Sequence, residues 1–428
     1  MPDLTFTDGD DQYQTVEPGT YNLAFLGGND RLQINSVGQV TADMGSGDDD
    51  VSYYYFPQAD PNMAPGPATI TGGSGNDHFF IGWNNFSGDA GDGNDLIDID
   101  YGDNISVATG TGDDIIAVFG PVTNLTLSAG EGNDVLHGRG VGGYVGSFVN
   151  ASISADAGND RLYDFQGAGS GSVELLGGAG NDAYRLNPAT APVVVEFAGE
   201  GIDTIRIPVG TSYTLPDNVE NLRAVVIPGS TSDAGTLTGN SSNNVLIGGD
   251  TDDQITGLAG NDWLYGHGGT DVLNGDAGKD HLDGGAGDDT LFGGDGADTL
   301  IGGGGNDTIV GGLGADTMTG GLGTDVFRYE SVADSTYYSA DAITDFDTDP
   351  NTAVHDVIDL SAIDANPLLP GNQAFTLVYP DDNFSGAGGL YVVFETGGME
   401  LLGDTDGDHN WDLRIIVPGG FGSNDIIL

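Results

Sequence analysis

Between residues 239 and 328 apolar and polar positions recur with a period of nine, in ten consecutive units without insertion or deletion. The eighth position of every unit is apolar: Leu246, Ile255, Leu264, Leu273, Leu282, Leu291, Leu300, Ile309, Met318 and Phe327. The sixth is aspartate in nine units, Asp253, Asp262, Asp271, Asp280, Asp289, Asp298, Asp307, Asp316 and Asp325, and only Asn244 departs. The consensus opens Gly-Gly-x-Gly-x-Asp. A helix would need an apolar residue every three or four positions, and glycine at this density is costly inside any helix or long strand. The pattern therefore predicts a six-residue turn followed by a three-residue strand whose central side chain points inward, with two units closing one coil.

Residues 1–238 show the same turn more loosely, centred on Asp30, Asp49, Asp77, Asp95, Asp114, Asp134, Asp160, Asp182 and Asp203. The intervals are those of one two-unit coil plus small insertions, so one half of each coil carries the turn. Short apolar segments at 104–108, 124–127, 151–153 and 193–197 are expected to form the other edge. After Arg328 the regularity ends and aromatic and aliphatic residues replace glycine, as expected of a cap that closes an exposed last coil. The fold class expected is all-β, a right-handed parallel β-solenoid with a β-rich C-terminal cap. Three segments follow: 1–238 irregular solenoid, 239–328 regular solenoid and 329–428 cap.

Stacking such coils sets the aspartate carboxylates and turn carbonyls of successive coils around a common gap. An oxygen-only gap suits calcium, which takes six to eight oxygens at about 2.3–2.6 Å. The first segment would bind along one edge and the 239–328 block along both. The unit GGxGxDxUx, with U apolar, is a known calcium-binding β-helix repeat, and on these residues the chain resembles the repeats-in-toxin (RTX) family. The resemblance implies many calcium ions held at the sixth-position aspartates named above, and folding coupled to metal binding.

The segments VFRYESVADS, AITDFDTD, DVIDLSAID, GDTDGDHNWDLRI and NDIIL, in that order after residue 325, resemble the C-terminal region of serralysin-type metalloproteases. That resemblance implies a cap whose extreme C-terminus is read by type I secretion machinery. The chain carries no HExxH zinc motif, so the protease itself is not matched. Within this region Asp404, Asp406, Asp408 and Asp412 have calcium-loop spacing, although Gly407 falls at the fourth place and not at the sixth as in an EF-hand.

Charge narrows the partners. With 66 acidic and 9 basic residues the formal net charge is -57, which excludes nucleic acid and disfavours anionic surfaces unless calcium bridges them. There is no cysteine for disulfides or thiolate chemistry, and no apolar run of membrane-spanning length. The opening segment lacks the basic and apolar regions of a secretory signal peptide, so export by another route is expected. No nucleophile elbow or phosphate-binding loop occurs, and the six histidines are scattered. Tyr53, Tyr54, Tyr55 and Phe56 form an aromatic run before a proline-rich insertion at 57–67, read as strand packing plus a loop.

These observations point to a secreted, non-enzymatic calcium-binding protein with a structural role at the cell surface or in the extracellular matrix, of surface-layer or biofilm type. It would fold on calcium after export and self-assemble or bridge surface polysaccharide through calcium. The alternatives are an extracellular polysaccharide lyase or epimerase with its site on the N-terminal solenoid, and a secretion module working with a separate catalytic chain.

Overall fold

A computed structural model describes residues 3–15, 19–35, 38–54, 66–138, 148–165, 172–187, 192–226, 234–347, 355–378, 386–395, 398–408, 410–418 and 425–428. These residues hold strands, turns and bends, without a helix among them. The chain is an all-β parallel solenoid, and it divides into two compact units. One comprises residues 1–206 with 216–219, the other 207–215 with 220–428.

In the first unit, strands alternate between two parallel sheets, one per face of each coil. The first sheet runs Asp3–Thr5, Tyr21–Ala24, Val40–Asp43, Ala68–Ser74, Phe86–Asp92, Gly102–Thr111, Val122–Ser128, Phe148–Ser154, Val173–Leu176, Val193–Val195. The second takes the alternate strands from Gln12–Thr15 to Ala183–Arg185 and on to Thr204. Inward positions stack in register from coil to coil: Leu32, Val51, Phe79, Ile97, Ile116, Leu136 and Leu162 form one column. All seven are buried. The first-sheet strands turn two side chains inward, as at Ile105 and Val107 or Leu125 and Leu127. The segments at 104–108, 124–127 and 151–153 thus build this sheet, with Asn104, Asn124 and Asn150 inside its strands. Of the aromatic run, Tyr53 is buried and its hydroxyl donates to the carbonyls of Gly66 and Asn84 at 2.9 and 3.0 Å. Tyr54 is half-buried, and residues 55–65 lie outside the described residues.

In the second unit each coil advances by two repeats. Leu246, Leu264, Leu282, Leu300 and Met318 pair in one column. Leu237, Ile255, Leu273, Leu291, Ile309, Phe327 and Ile358 pair in the other. Every one is at most 1% exposed, so the eighth position supplies the core. The strands are longer than the repeat suggests. Thr290–Gly296 covers the last three positions of one unit and the first four of the next. The paired glycines have no side chains to separate the coils, so ladder pairing continues through them, as Gly294 with Gly312 shows. From Trp263 to Leu322 the expected three-residue strand is thus the core-bearing half of a six- or seven-residue one, whereas Val245–Ile247, Gln254–Thr256 and Val326–Arg328 have the expected three. Residues 227–233, in the stretch before the regular block, lie outside the described residues.

From Leu258 onward the second repeat position is left-handed, which glycine adopts without strain and a side chain such as those of Leu258 and His267 does not. Gly285, Gly294 and Gly303 fill it at φ of 101°, 108° and 109°, but Leu258 stands there at φ 79° and is half-exposed. Leu258→Gly should therefore stabilise the folded chain by about 1 kcal/mol, read as a higher denaturation midpoint at fixed calcium; a lower midpoint would show that the leucine side chain contributes more than its backbone strain.

Beyond the regular block, Asp341–Ile343 continues the column of Met318, and Val357–Asp359 that of Phe327. Leu413–Val417 then pairs with Asp341–Ile343 and begins an antiparallel meander through Gly398–Asp404 to Gly389–Glu395. The meander covers the hydrogen-bonding edge that a parallel stack would otherwise leave open.

Candidate metal-binding turns

Each turn is fixed by one repeated hydrogen bond. The backbone N–H of a sixth-position aspartate donates to Oδ1 of its counterpart one coil further on. In the first unit this row runs from Asp11 through Asp30, Asp49, Asp77, Asp95, Asp114, Asp134, Asp160 and Asp182 to Asp203, every rung 2.7–2.8 Å. The second unit has two rows, one entering each sheet. Asn244, Asp262, Asp280, Asp298, Asp316 and Asp341 make one. Asp253, Asp271, Asp289, Asp307, Asp325 and Asp356 make the other. Insertions in the first unit lengthen the sequence interval to as much as 28 residues, between Asp49 and Asp77, without breaking a rung.

The rung uses one carboxylate oxygen. Among the described residues the other, Oδ2, is buried without a hydrogen-bond partner at Asp30, Asp49, Asp77, Asp95, Asp114, Asp134, Asp160, Asp182, Asp262, Asp271, Asp280, Asp289, Asp298, Asp307, Asp316, Asp325 and Asp341. A buried, unpaired carboxylate oxygen is costly unless a cation meets it. Burial raises these carboxyls against the lowering effect of the N–H each accepts. Asp49, Asp95, Asp160, Asp271 and Asp298 are pushed up to about 7. Asp77, Asp134, Asp182, Asp262, Asp289, Asp307, Asp316 and Asp325 are pushed up to about 6. Asp341, deeper still, is pushed up to about 9.

The first glycine of the unit keeps the space beside Oδ2 open. A Cβ on Gly275 would stand 2.5 Å from both Asp280 Oδ2 and the Gly293 carbonyl oxygen, and one on Gly284 would stand 2.5 Å from Asp289 Oδ2 and 2.8 Å from the Gly302 oxygen. Carboxylate and carbonyl oxygens thus converge, with no N–H between them to relieve the repulsion. Such an all-oxygen donor set fits calcium and not a soft metal.

Not every aspartate in the pattern is placed alike. Asp253 accepts from Gly235 N–H through Oδ1 and from Gly249 N–H through Oδ2, at 2.8 and 2.7 Å, so backbone engages both oxygens. Asn244 keeps the rung to Asp262 and pairs with Asn240 through its amide. In the C-terminal loop Asp404, Asp406 and Asp412 bring carboxylate oxygens within 4.8 Å of one another. Asp408 is not in that group and closes a local turn by accepting from Asn410. His409 lies outside the described residues.

Sequence reasoning missed Asp341 and Asp356, which extend the two rows past the last regular unit. It also missed the asparagine row on the second edge of the first unit. There Asn85, Asn104, Asn124 and Asn150 are all left-handed, and the amides of the last three each donate to the Oδ1 of the preceding one at 2.9–3.3 Å. The row is joined amide to amide, and the Asp103 carboxylate beside it accepts from Asn124 Nδ2 at 3.0 Å, so this edge is held by neutral donors and needs no cation.

The profile of the RTX calcium-binding nonapeptide repeat matches residues 68–85, 126–140 and, in overlapping copies, 231–327. This chain carries RTX calcium-binding repeats. The RTX turns account for the multiple calcium ions that the oxygen-lined gaps suit. A curated relative, endo-1,3-1,4-beta-glycanase ExsH of Rhizobium meliloti (strain 1021), is 40% identical over 95 residues. That match covers 22% of this chain, and the chain spans 18% of the relative's length. Two solved structures are similar at a TM-score of 0.24 each. The AlgE6R3 subunit of the Azotobacter vinelandii mannuronan C5-epimerase is 26% identical over 35% of this chain and 80% of that one. A hyperactive, Ca2+-dependent, β-helical antifreeze protein from an Antarctic bacterium is 20% identical over 75% of this chain and 84% of that one.

Proposed function

We propose that this RTX chain is a non-enzymatic structural protein that folds on calcium outside the cell and serves at the cell surface or in the extracellular matrix. The observation that carries the reading is the set of buried, unpartnered Oδ2 atoms in the aspartate rows of each unit. They make the folded chain dependent on a cation that is scarce inside cells and abundant outside. The aspartates assigned as ligands are Asp30 to Asp203 of the first row and the sixth-position aspartates of 239–328 other than Asp253, with Asp404, Asp406 and Asp412 in the C-terminal loop. In this reading residues 329–428 cap the solenoid and engage type I secretion machinery. No helix of the described residues is long and apolar enough to cross a membrane.

Function as a matrix or lattice unit requires folding and association to be linked. Calcium titrated into the chelated full-length protein should bring β-sheet circular dichroism and a rise in light scattering together. A chain that folds but stays monomeric at millimolar calcium would overturn the assembly role. Cleavage or epimerisation of a uronate polymer would establish the enzymatic alternative instead.

A further inference from the structure

The last coil of the first unit departs from the repeat at one residue. Leu176 pairs with Val195, so Glu196 follows in the place that Gly177 holds one coil earlier. In the other coils of the first unit that position holds an uncharged side chain or none, Phe25, Met44, Gly72, Ala90 and Thr109 among them. Here a carboxylate enters it. Glu196 is 5% exposed, and Asp182 and Asp203 are each 1% exposed. One carboxylate oxygen from each of the three lies within 4.8 Å of the others.

The glutamate is held, not loose. The Tyr184 hydroxyl donates to Glu196 Oε1, the Gly178 N–H lies alongside the carboxylate, and Asn218 Nδ2 donates to the Glu196 carbonyl oxygen at 3.0 Å. Glu196 Oε2 and Asp182 Oδ2 are nonetheless buried without a hydrogen-bond partner. Asp182 Oδ2 faces the space beside Gly177, where a Cβ would stand 2.2 Å from it, 2.5 Å from the Tyr184 hydroxyl and 2.6 Å from Glu196 Oε1. Oxygens on opposite sides of a calcium ion stand about 4.8 Å apart, so the spread of the three carboxylates suits one ion between them.

We infer that Asp182, Glu196 and Asp203 form a tighter calcium site at the last step of the first unit's row, with Glu196 as a third carboxylate ligand and Tyr184 holding it in place. The inference rests on the reading that the aspartate turns bind calcium. Ligand charge sets affinity for this ion. A three-carboxylate site fills at lower calcium than two-carboxylate steps of the row and is the last to empty.

The test is equilibrium dialysis of the full-length chain against radioactive calcium, lowered stepwise from millimolar to micromolar. Wild type should retain one ion per chain after the rows have emptied. Glu196→Gln should lose that ion, its affinity falling by about tenfold or more, with the millimolar capacity otherwise kept. Glu196→Asp, which retains the charge but shortens the reach, should weaken the same step alone and serves if the glutamine variant does not fold. Equal low-calcium retention in wild type and a folded variant overturns the inference, and so does a wild type that holds no ion once the rows have emptied. A wild type that binds no calcium even at millimolar concentration sinks the broader reading as well.

Discussion

Excess chelator at neutral pH is expected to abolish the β-sheet circular dichroism of the folded chain. Seventeen aspartates bury an unpartnered Oδ2 among the described residues, in rows whose members are about 4.8 Å apart, the spacing of paired strands. Two such charges repel by roughly 3 kcal/mol at an effective dielectric of 20, and the chain as a whole carries -57. Each ion present at a hundred times its dissociation constant contributes about 2.7 kcal/mol. A few ions therefore match the 5–15 kcal/mol that holds an ordinary domain together. Acid should partly replace the metal. In chelator the folded-state carboxyls at about 6 and about 7 lie above the unfolded value near 4. The folded chain then binds more protons across that window, so stability is present below about pH 4 and is lost as pH rises through 6 to 7. At pH 5, above the isoelectric point of about 4.1, the chelated chain should regain ellipticity. With calcium bound the sign reverses, because protons compete with the ion for the same oxygens. Native-like dichroism at pH 7.5 in chelator, or no gain on acidification, would falsify the role assigned to these rows.

Much of this arrangement is legible in the chain because the solenoid is nearly one-dimensional: each coil meets only its neighbours, so a sequence interval is a spatial interval. The sixth-position aspartates and the eighth-position core residues could be read off directly for that reason. Asp341 and Asp356 could not. Their rungs reach back 25 and 31 residues, to Asp316 and Asp325, across inserted segments that hide the period. Glu196 was hidden differently, since its position varies from coil to coil in the first unit, as Phe25, Met44, Ala90 and Thr109 show, and a glutamate there carries no periodic signal. Asn104 and Asn124 were read as strand beginnings because their left-handed backbone and amide pairing have no period-nine signature. The equivalence of Asp253 to its neighbours was over-read. Only the folded turn shows Gly249 N–H at its second oxygen.

Substitution at Asp289 separates the two jobs of a row aspartate. Its Oδ1 accepts from Asp271 N–H at 2.8 Å, while its Oδ2 is buried beside the space opened by Gly284. Asp289→Asn keeps the acceptor and loses the charge. Asn244 shows that asparagine can stand in this position, since its Oδ1 accepts a backbone N–H, that of Asn240, at 2.7 Å. In calcium the asparagine variant should need a higher metal concentration to fold, and at neutral pH in chelator it should be no less stable than wild type because one repulsive charge is gone. Asp289→Ala removes both functions and leaves the Asp271 N–H buried without its acceptor, a further loss of about 1–3 kcal/mol. The calcium midpoint of folding, followed by circular dichroism, should therefore rise from wild type to asparagine to alanine. An asparagine variant that matches wild type in calcium would mean that this carboxylate holds no ion. Alanine and asparagine variants with equal midpoints would mean that the rung itself contributes nothing, and that the ions alone hold one coil to the next.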